Sequence, residues 1–453
     1  MNLPIFLTKK KKNMNRRDFL QKSALTAAGF SVTPLLGGAY QSIYGKTAPS
    51  NKIKVALIGC RSQGFDNLST FLKYPEVECV ALCDVDDEWL NKRAADVLKI
   101  TGKKVPNLFK DWRRVIDLKD ADAVIIGTPD HWHCLPMVSA GQTGKDVYVE
   151  KPLSNTIEEC DLMVRAARQY KRVVQVGQWQ RSDPHWDAAA NYLREGHIGR
   201  IRTVKVWAYQ DSKPTLPIKP DSTPPAGVDY NMWLGPAPKR PFNEYRFHYN
   251  FRFFWDYAGG LMSDWGVHLL DYALEGMGAD LPTNTFGSGG KFAYPTDAME
   301  TPDTLMATYK YKGFNIIWDH ACGINHGLFD KKEGLAFYGE NGTLLLTRAG
   351  WEVIPVVVNN VPRMQTVPFN KGEGKGLYNH VGNFLHCIRT REMPNADISI
   401  GAKVAKMAHL ANISCRVQRE IQWDNAKNQI VGDSEAGVLA RAYYRAPWEL
   451  PKL

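Results

Sequence analysis

A glycine-rich turn near residue 60 carries the residue types that hold a dinucleotide phosphate. It reads Gly59-Cys60-Arg61-Ser62-Gln63-Gly64, with Arg61 in place of the middle glycine of the G-x-G-x-x-G pattern. Arg61 crowds the approach of the main chain to a pyrophosphate, but its guanidinium offers a contact to a phosphate oxygen. Asp84 stands 20 residues after Gly64, where a carboxylate binds both ribose hydroxyls and repels a 2′-phosphate. The pattern predicts a site that favours NAD over NADP. The alternative is a doubly wound sheet that binds a different ligand.

Asp264 and His268 have types and spacing that suit proton transfer. They are four positions apart, so on a helix they share one face. Oxidation of a secondary alcohol needs a base for the hydroxyl proton while hydride leaves the carbon, and histidine titrates near neutral pH. We therefore expect a coupled acid–base pair. The alternative for His268 is a structural histidine in the core.

These residues are positioned by an alternating strand–helix pattern in the first half of the chain. Short apolar runs predict strands at Ile53–Ile58, Val77–Cys83, Ala121–Ile126, Asp146–Glu150 and Val173–Val176. The alternation predicts right-handed crossovers and a doubly wound parallel sheet, which binds ligands at the carboxyl ends of its strands. The fold class is therefore α/β, with a Rossmann domain over residues 51–177.

Residues 178–453 are predicted to form a second, substrate-binding α+β domain. Turn signals at Lys312-Gly313 and Asn341-Gly342 predict two hairpins, and Thr203–Ala208 alternates as a half-buried strand does. We expect an open, largely antiparallel sheet that two late helices close, one around Val381 to Ile388 and one around Val404 to Ala411. Residues 211–250 are interpreted as a long ordered loop.

Three further segments identify a family resemblance. They are Thr128-Pro129-Asp130-His131-Trp132-His133, Glu150-Lys151-Pro152-Leu153-Ser154 and the run from Gly259 to Asp271. With the glycine-rich turn, they resemble the Gfo/Idh/MocA oxidoreductases (glucose-fructose oxidoreductase, inositol dehydrogenase and rhizopine catabolism) from about Lys52 to Val417. The resemblance implies NAD(P) in the first domain and a sugar-like substrate against the second.

The resemblance also assigns roles to individual residues. The catalytic lysine of the family matches Lys151, its Asp-x-x-x-His pair matches Asp264 and His268, and the family often has a cis bond where Lys151-Pro152 stands. As an ammonium, Lys151 would hold the substrate hydroxyl and stabilise a developing alkoxide. The cofactor contacts implied are Gly59, Cys60, Arg61, Gly64, Asp84, Thr128, Pro129, His133, Glu150 and Lys151.

The substrate contacts expected are Trp179, Arg181, Asp264 and His268. The alternative for Arg181 is a salt bridge at the domain hinge. One or two of six aromatic residues are expected at the sugar: Trp179, Trp186, Trp233, Phe253, Trp255 and Trp265. No metal site is predicted, because no Cys-x-x-Cys motif accompanies His131 and His133, and we expect His133 to pack against nicotinamide or substrate.

The net charge of +10 is concentrated in residues 1–50, which hold seven of the ten net positive charges. This removes the argument for a nucleic-acid partner. Arg16-Arg17 followed by the apolar run Ala24–Ala39 is typical of a bacterial twin-arginine export signal, so residues 1–50 are predicted to be signal and linker and the protein periplasmic. The run is short for a bilayer span, so no stable membrane span is expected in the mature chain.

The function predicted is an exported NAD-dependent oxidoreductase that acts on a ring hydroxyl of a sugar or glycoside. Because free NAD is scarce outside the cytoplasm, the cofactor is expected to stay in the protein. The alternatives are redox-neutral glycoside cleavage through a 3-keto intermediate and a non-catalytic sugar-binding module. By analogy with the family, we expect a homo-oligomer, either a dimer or a tetramer.

Overall fold

The computed structural model describes residues 51–453 except residues 212 and 214. The predicted twin-arginine signal at Arg16-Arg17 and its linker therefore lie outside the described residues. We label helices and strands in chain order within the described part.

A six-stranded parallel sheet forms the first half in the order β3-β2-β1-β4-β5-β6, the doubly wound order of a Rossmann fold. Its strands are β1 Ile53–Ile58, β2 Val77–Cys83, β3 Asn107–Phe109, β4 Ala123–Ile126, β5 Asp146–Val149 and β6 Val174–Val176. All residues of β4 and β5 are buried, because helices cover both faces of the sheet. The sequence predicted five of these strands and missed β3, which has only three residues.

Helices pack on both faces of the parallel sheet. They are α1 Ser62–Phe71, α2 Asp87–Thr101, α3 Arg113–Ile116, α4 Cys134–Gln142 and α5 Ile157–Gln169. Helices α3, α4 and α5 cover one face, and α1 and α2 lie on the other. Side chains cap two of the helices, since Asp86 accepts from the amide of Glu88 and Thr156 from that of Glu159.

A ten-stranded mixed sheet forms the second half in the order β16-β13-β12-β11-β7-β10-β9-β8-β17-β18. Only β7 and β10 pair in parallel within it. Its strands are β7 Thr203–Gln210, β8 Asn284–Gly290, β9 Thr304–Lys310, β10 Asn315–Cys322, β11 Glu333–Tyr338, β12 Gly342–Thr347, β13 Gly350–Pro355, β16 Val367–Lys371, β17 Ile421–Asp424 and β18 Gln429–Val431. Strands β14 Val357–Val358 and β15 Val361–Pro362 pair with each other in a separate two-stranded sheet. The two predicted hairpins are confirmed as β9–β10 and β11–β12.

The second half of the chain also contains helices, and only some of them pack against this sheet. The helices are α6 Pro184–Arg194, α7 Tyr230–Leu234, α8 Gly260–Asp264, α9 Gly266–Met277, α10 Gly376–Thr390, α11 Ile398–Val417 and α12 Ser434–Leu439. The core beneath the sheet is made by α6, α9 and α11. The predicted loop of residues 211–250 contains α7 and the 3₁₀ turn Glu244–Arg246.

Helix α10 corrects the prediction that both late helices close the second domain. Its Val381, Phe384 and Leu385 share a buried cluster with Leu57 and Phe71 of the first half. Helix α10 thus completes one face of the parallel sheet, while α11 contributes to the cores of both halves. The spacing of apolar residues shows that a helix has a buried face, but it does not show which sheet receives it.

All eight cysteines are free thiols, and seven of them are buried. In the described part of the chain, no helix has both the length and the apolar character that crossing a bilayer requires.

Candidate functional site

A cavity of about 360 Å³ lies at the carboxyl ends of β1, β2, β4 and β5. The strand ends contribute Gly59, Asp84, Thr128 and Lys151 to its wall. The second half of the chain also contributes to the wall, with Trp233, His248, Tyr249, Arg252, Asp264, His268 and Arg348 among its residues there. Strand ends of the first half thus face side chains of the second across one enclosed space.

Three glycines bring the main chain of the glycine-rich turn unusually close to the loop after β4. A Cβ atom on Gly64 would lie 2.1 Å from the carbonyl oxygen of Gly59, and one on Gly127 would lie 2.4 Å from Cα of Gly64. Gly59 also has a φ of +86°, a conformation that residues with a Cβ atom rarely adopt. The turn therefore has the close packing that lets backbone amides approach a ligand.

Arg61 and the start of α1 make this turn suited to an anion. The Nε and Nη1 atoms of Arg61 are buried without a hydrogen-bond partner, and its guanidinium lies 4.6 Å from the centre of the Trp89 ring. No side chain caps the N-terminus of α1, so no capping side chain competes with an anion for the first main-chain amides of the helix. Unpaired donors beside a glycine cradle fit the pyrophosphate of a dinucleotide, with Gly59 and Arg61 as the residues that would hold it.

Asp84 lies at the end of β2 and is held by the main chain. Its Oδ2 accepts the amide of Cys60 at 2.7 Å, and its Oδ1 accepts that of Asp86 at 3.1 Å. Burial raises the pKa of Asp84 to about 6. Each oxygen keeps acceptor capacity for a ribose hydroxyl. Cys60, also expected among the cofactor contacts, is fully buried and does not line the cavity, and its amide serves to hold Asp84.

Lys151 and Asp264 form an ion pair on the cavity wall. The Nζ of Lys151 donates to Oδ1 of Asp264 at 2.7 Å and to its carbonyl oxygen at 2.9 Å. The Lys151-Pro152 bond is cis, as the family resemblance implied. Nε of Arg252 lies 3.3 Å from the same Oδ1. Burial opposes ionisation of Asp264, but Lys151 and Arg252 together hold its pKa well below the usual range.

His268 lies on the same cavity wall, on a different helix from Asp264. The single helix that the spacing predicted is divided at Trp265 into α8 and α9, although Trp265 itself keeps right-handed helical angles. Nδ1 of His268 is buried and has no partner. Burial, with Lys151 and Arg348 nearby, lowers the pKa of His268 well below 6.5. His268 is thus a neutral imidazole with an open ring nitrogen, whereas Oδ1 of Asp264 is engaged by two cations.

Two further carboxyls line this part of the cavity. Glu150 accepts from the side-chain amide of Asn67 at 2.8 Å and from the amide of Lys151 at 3.1 Å, so it supports the lysine loop. Asp130 is 7% exposed, and burial raises its pKa to about 8. Asp130 was not among the site residues expected from the sequence, although its position directly after the Thr128-Pro129 turn was the available signal.

His133 is not on the cavity wall, which corrects the expectation that it packs against nicotinamide or substrate. It is fully buried, and its ring nitrogens lie 2.8 Å from the carbonyl oxygen of Pro152 and 2.9 Å from that of Thr128. It therefore joins the two loops that carry the site. His131 contacts the carbonyl oxygen of Trp233 at 3.1 Å. Within the described residues, no group of three or more potential metal ligands converges.

Arg181 also lies outside the cavity, so its predicted substrate contact is corrected. Its guanidinium donates to both carboxylate oxygens of Asp271 at 2.7 Å and to Glu275 at 3.0 Å. These bonds tie the 3₁₀ turn after β6 to α9, which is the salt bridge considered as the alternative. Three of the six aromatic candidates line the cavity, namely Trp179, Trp233 and Trp265, while Trp186 packs in the core.

Residues 225–254 form a roof over the cofactor end of the cavity. The amide of Asp229 donates to the carbonyl oxygen of Val85 at 2.9 Å, and Lys110 Nζ donates to that of Gly227 at 2.7 Å. His248 lies 3.1 Å from Asp86. The roof is therefore hydrogen-bonded to the loops that follow β2 and β3. The sequence predicted an ordered loop here but not its position, because these partners lie more than a hundred residues earlier in the chain.

Two sequence profiles of one oxidoreductase family match the chain. The profile described as "Oxidoreductase family, NAD-binding Rossmann fold" matches residues 53–178, and "Oxidoreductase family, C-terminal alpha/beta domain" matches residues 205–321. Together the matches cover more than half of the chain, and both carry the name GFO_IDH_MocA.

Curated relatives resemble a shorter stretch. A glycosyl hydrolase family 109 protein of Shewanella baltica and an alpha-N-acetylgalactosaminidase of Shewanella oneidensis are each 28% identical to this chain, over 176 and 177 residues respectively. Each match spans 35% of this chain and 38% of the relative.

Solved structures share the fold over most of the chain. Levoglucosan dehydrogenase in complex with NADH and levoglucosan superimposes with a TM-score of 0.63 at 18% identity, covering 82% of this chain and 99% of that chain. The WlbA dehydrogenase of Bordetella pertussis, in complex with NADH and UDP-GlcNAcA, gives 0.60 at 19% identity with the same coverage. At this identity, the likeness shows the fold.

Proposed function

Because this chain belongs to the Gfo/Idh/MocA oxidoreductase family, we propose that it is an NAD-dependent oxidoreductase that acts on a ring hydroxyl of a sugar or glycoside. The observation that carries the proposal is the Lys151–Asp264 ion pair beside the neutral His268, on the wall of a cavity that also contains the glycine-rich turn. The levoglucosan dehydrogenase neighbour, solved with NADH and a sugar, supports the assignment.

The site residues divide the chemistry of alcohol oxidation between them. A bound nicotinamide supplies the hydride acceptor. Lys151 donates a hydrogen bond to the substrate hydroxyl and stabilises the negative charge that develops on its oxygen. Asp264 holds the ammonium in position through the 2.7 Å bond. His268 accepts the hydroxyl proton at its open Nδ1, since a neutral imidazole is the base that remains on this wall.

Asp84 supports the choice of NAD over NADP, and the roof supports retention of the cofactor. A 2′-phosphate next to the Asp84 carboxylate would place two negative charges together. Residues 225–254 cover the cofactor end, so release requires the roof hydrogen bonds to open. A retained cofactor must be reset by a second substrate or acceptor.

Redox-neutral glycoside cleavage is the second candidate, and the similarity to the alpha-N-acetylgalactosaminidase of Shewanella oneidensis favours it. In that reaction, transient oxidation at C3 would acidify the C2 proton, elimination would release the aglycone, water would add at C1, and return of the hydride to C3 would give the free sugar. Lys151 and His268 would serve the same proton transfers in both reactions.

Native mass spectrometry of protein purified without added cofactor tests the proposal first. We expect a mass increment equal to one NAD(H), and protein that neither retains nor takes up NAD or NADP would contradict an oxidoreductase and favour a sugar-binding module. A panel of p-nitrophenyl glycosides then separates the two reactions, because a dehydrogenase accumulates reduced-nicotinamide absorbance and cleavage releases nitrophenol without it. Folded Lys151→Ala protein should lose turnover in either case, and turnover at the wild-type rate would refute both.

Twin-arginine export to the periplasm and assembly as a homo-oligomer remain proposals. Export rests on Arg16-Arg17 and the apolar run that follows. Arg16-Arg17→Lys-Lys protein, expressed with its leader, should stay in the cytoplasm of a bacterial host, whereas the unaltered protein should reach the periplasm. Light scattering of the purified protein gives the oligomeric state directly.

A further inference from the structure

Arg348 is a partly buried cation on the cavity wall that the reaction above does not use. It stands in the turn between β12 and β13, far in sequence from every motif of the site. Its guanidinium lies 4.4 Å from the centre of the Trp265 ring and 5.3 Å from that of Trp179. Arg348, both tryptophans and His268 all line the cavity.

The hydrogen-bonding capacity of Arg348 is largely unmet. Its Nε is buried without a partner, and its one side-chain hydrogen bond is a long contact of 3.4 Å from Nη2 to Gln180. Among the described residues, no carboxylate lies within 4.0 Å of its guanidinium nitrogens. Among carboxylates, Glu333 has the largest electrostatic influence on the guanidinium, but its hydrogen bond is with the main-chain amide of Arg348, at 3.1 Å.

Arg181, in contrast to Arg348, is an arginine whose charge is paired with carboxylates. It has the two carboxylates of Asp271 and Glu275, at 2.7 and 3.0 Å. Burial of a guanidinium without such partners is unfavourable unless a ligand supplies the acceptors. Arg348 therefore has the environment of a ligand-binding side chain.

The charge of the surrounding wall also favours an anion. Lys151, Arg252 and Arg348 bring three positive charges to it. Asp264 and the hydrogen-bonded Glu150 supply two negative charges, while burial keeps the Asp130 carboxyl largely protonated at neutral pH, since its pKa is raised to about 8. His268 is neutral. This end of the cavity has an excess of positive charge that a neutral sugar would leave uncompensated.

We propose that Arg348 binds the carboxylate of an acidic sugar, so that the substrates are uronic acids or glycosides that contain one. A carboxylate accepts two parallel hydrogen bonds from a guanidinium, and the adjacent rings of Trp179 and Trp265 offer faces for a pyranose. The inference rests on the proposed function, because it takes the ligand of this cavity to be a sugar.

Calorimetric titration of cofactor-containing protein tests the inference with matched ligands. The methyl glycosides of glucuronic and galacturonic acid are compared with the corresponding uronamides, which have the same shape without the charge. We expect at least one acid to bind about 10- to 100-fold more tightly than its amide, as a hydrogen-bonded charge should. If no acid binds more tightly than its amide, the inference is wrong, and equal affinity for a 6-sulfated glycoside would refute the assignment to a carboxylate.

Three variants locate the preference on Arg348. Arg348→Gln should abolish the preference for acid over amide, and Arg348→Lys should keep part of it. Arg416→Gln is the matched control, since Arg416 also lies over a tryptophan, 4.9 Å from the ring of Trp255, but is absent from the cavity wall. If Arg348→Gln or Arg348→Lys protein, with wild-type cofactor content, keeps the full preference, Arg348 is not the binding group.

The same samples distinguish failure of this inference from failure of the proposed function. Reduced-nicotinamide absorbance is recorded after each titration. Acid-selective binding that never leads to reduction or glycoside cleavage contradicts the enzyme assignment and leaves the role of Arg348 standing. If neutral and acidic sugars are turned over and bind with equal affinity, the enzyme assignment stands and the role proposed for Arg348 is wrong.

Discussion

Gly64 lies where helix α1 comes closest to the loops after β1 and β4, and replacing it with alanine tests whether that approach builds the cofactor site. The residue is in the first turn of α1 and has no positive φ, so its backbone accepts a side chain. In a helix, alanine is favoured over glycine by about 1 kcal/mol. Helix propensity alone therefore predicts that Gly64→Ala stabilises the protein.

The packing predicts the opposite sign. The added Cβ would lie 2.1 Å from the carbonyl oxygen of Gly59 and 3.4 Å from Cα of Gly127. A carbon–oxygen contact needs roughly 1 Å more, and the obstacle is main chain, so no rotamer change relieves it. Overpacking of this kind costs about 1–3 kcal/mol. After the helix-propensity gain is subtracted, we expect a net loss of up to about 2 kcal/mol in the free energy of unfolding, together with a displaced glycine-rich turn.

Urea unfolding and the bound NAD(H) mass measure the two consequences. Gly437→Ala is the matched control, because Gly437 lies within helix α12 and a Cβ there meets no atom within 4 Å. The control should gain up to about 1 kcal/mol and keep its cofactor. Gly64→Ala should unfold at lower urea and lose cofactor. If both variants are stabilised alike and both retain NAD(H), the close approach at Gly64 has no role in building the site.

Three further predictions concern ionised groups. Asp130 has a folded pKa of about 8, above its unfolded value, so wild-type stability should fall as pH rises from about 4 to 8, and Asp130→Asn should remove this slope in melting temperatures. Asp264 has a depressed pKa, so Asp264→Asn should cost about 3 kcal/mol at neutral pH and progressively less below about pH 4. Arg181→Met should cost about 3–5 kcal/mol by leaving Asp271 buried and unpaired, yet leave NAD(H) content unchanged. Parallel pH profiles for wild type and either carboxyl variant, or cofactor loss in the arginine variant, would contradict these assignments.

The sequence predicted those parts of the molecule that depend on local pattern. Buried apolar runs identified β1, β2, β4, β5 and β6, and turn residues such as Asn341-Gly342 identified the hairpins. Lys151, Asp264 and His268 do line one cavity. They could be predicted because each lies in a recognisable motif. Local chemistry was sufficient in these cases.

What the sequence missed depends on partners that are distant in the chain. Arg181 and Arg348 are both arginines, and only the carboxylates of Asp271 and Glu275 beside the first distinguish an ion pair from a candidate ligand contact. His133 was assigned to the cofactor because its motif borders the site, but its ring turns toward the carbonyl oxygen of Pro152. Spacing gives the face of an element, whereas the partner of a side chain is decided by tertiary packing.

The position of helix α10 has a consequence for how the protein is made. Strand β6 ends at Val176, whereas the helix that completes one face of its sheet ends at Thr390. A ribosome adds about 5–20 residues per second, so roughly 10 to 40 s pass between the synthesis of β6 and that of α10. During this time the apolar surface around Leu57 and Phe71 is not covered by the helix. During that interval the nascent chain presents a site for chaperones or for aggregation. The half of the chain that is synthesised first is therefore completed only when the last quarter emerges.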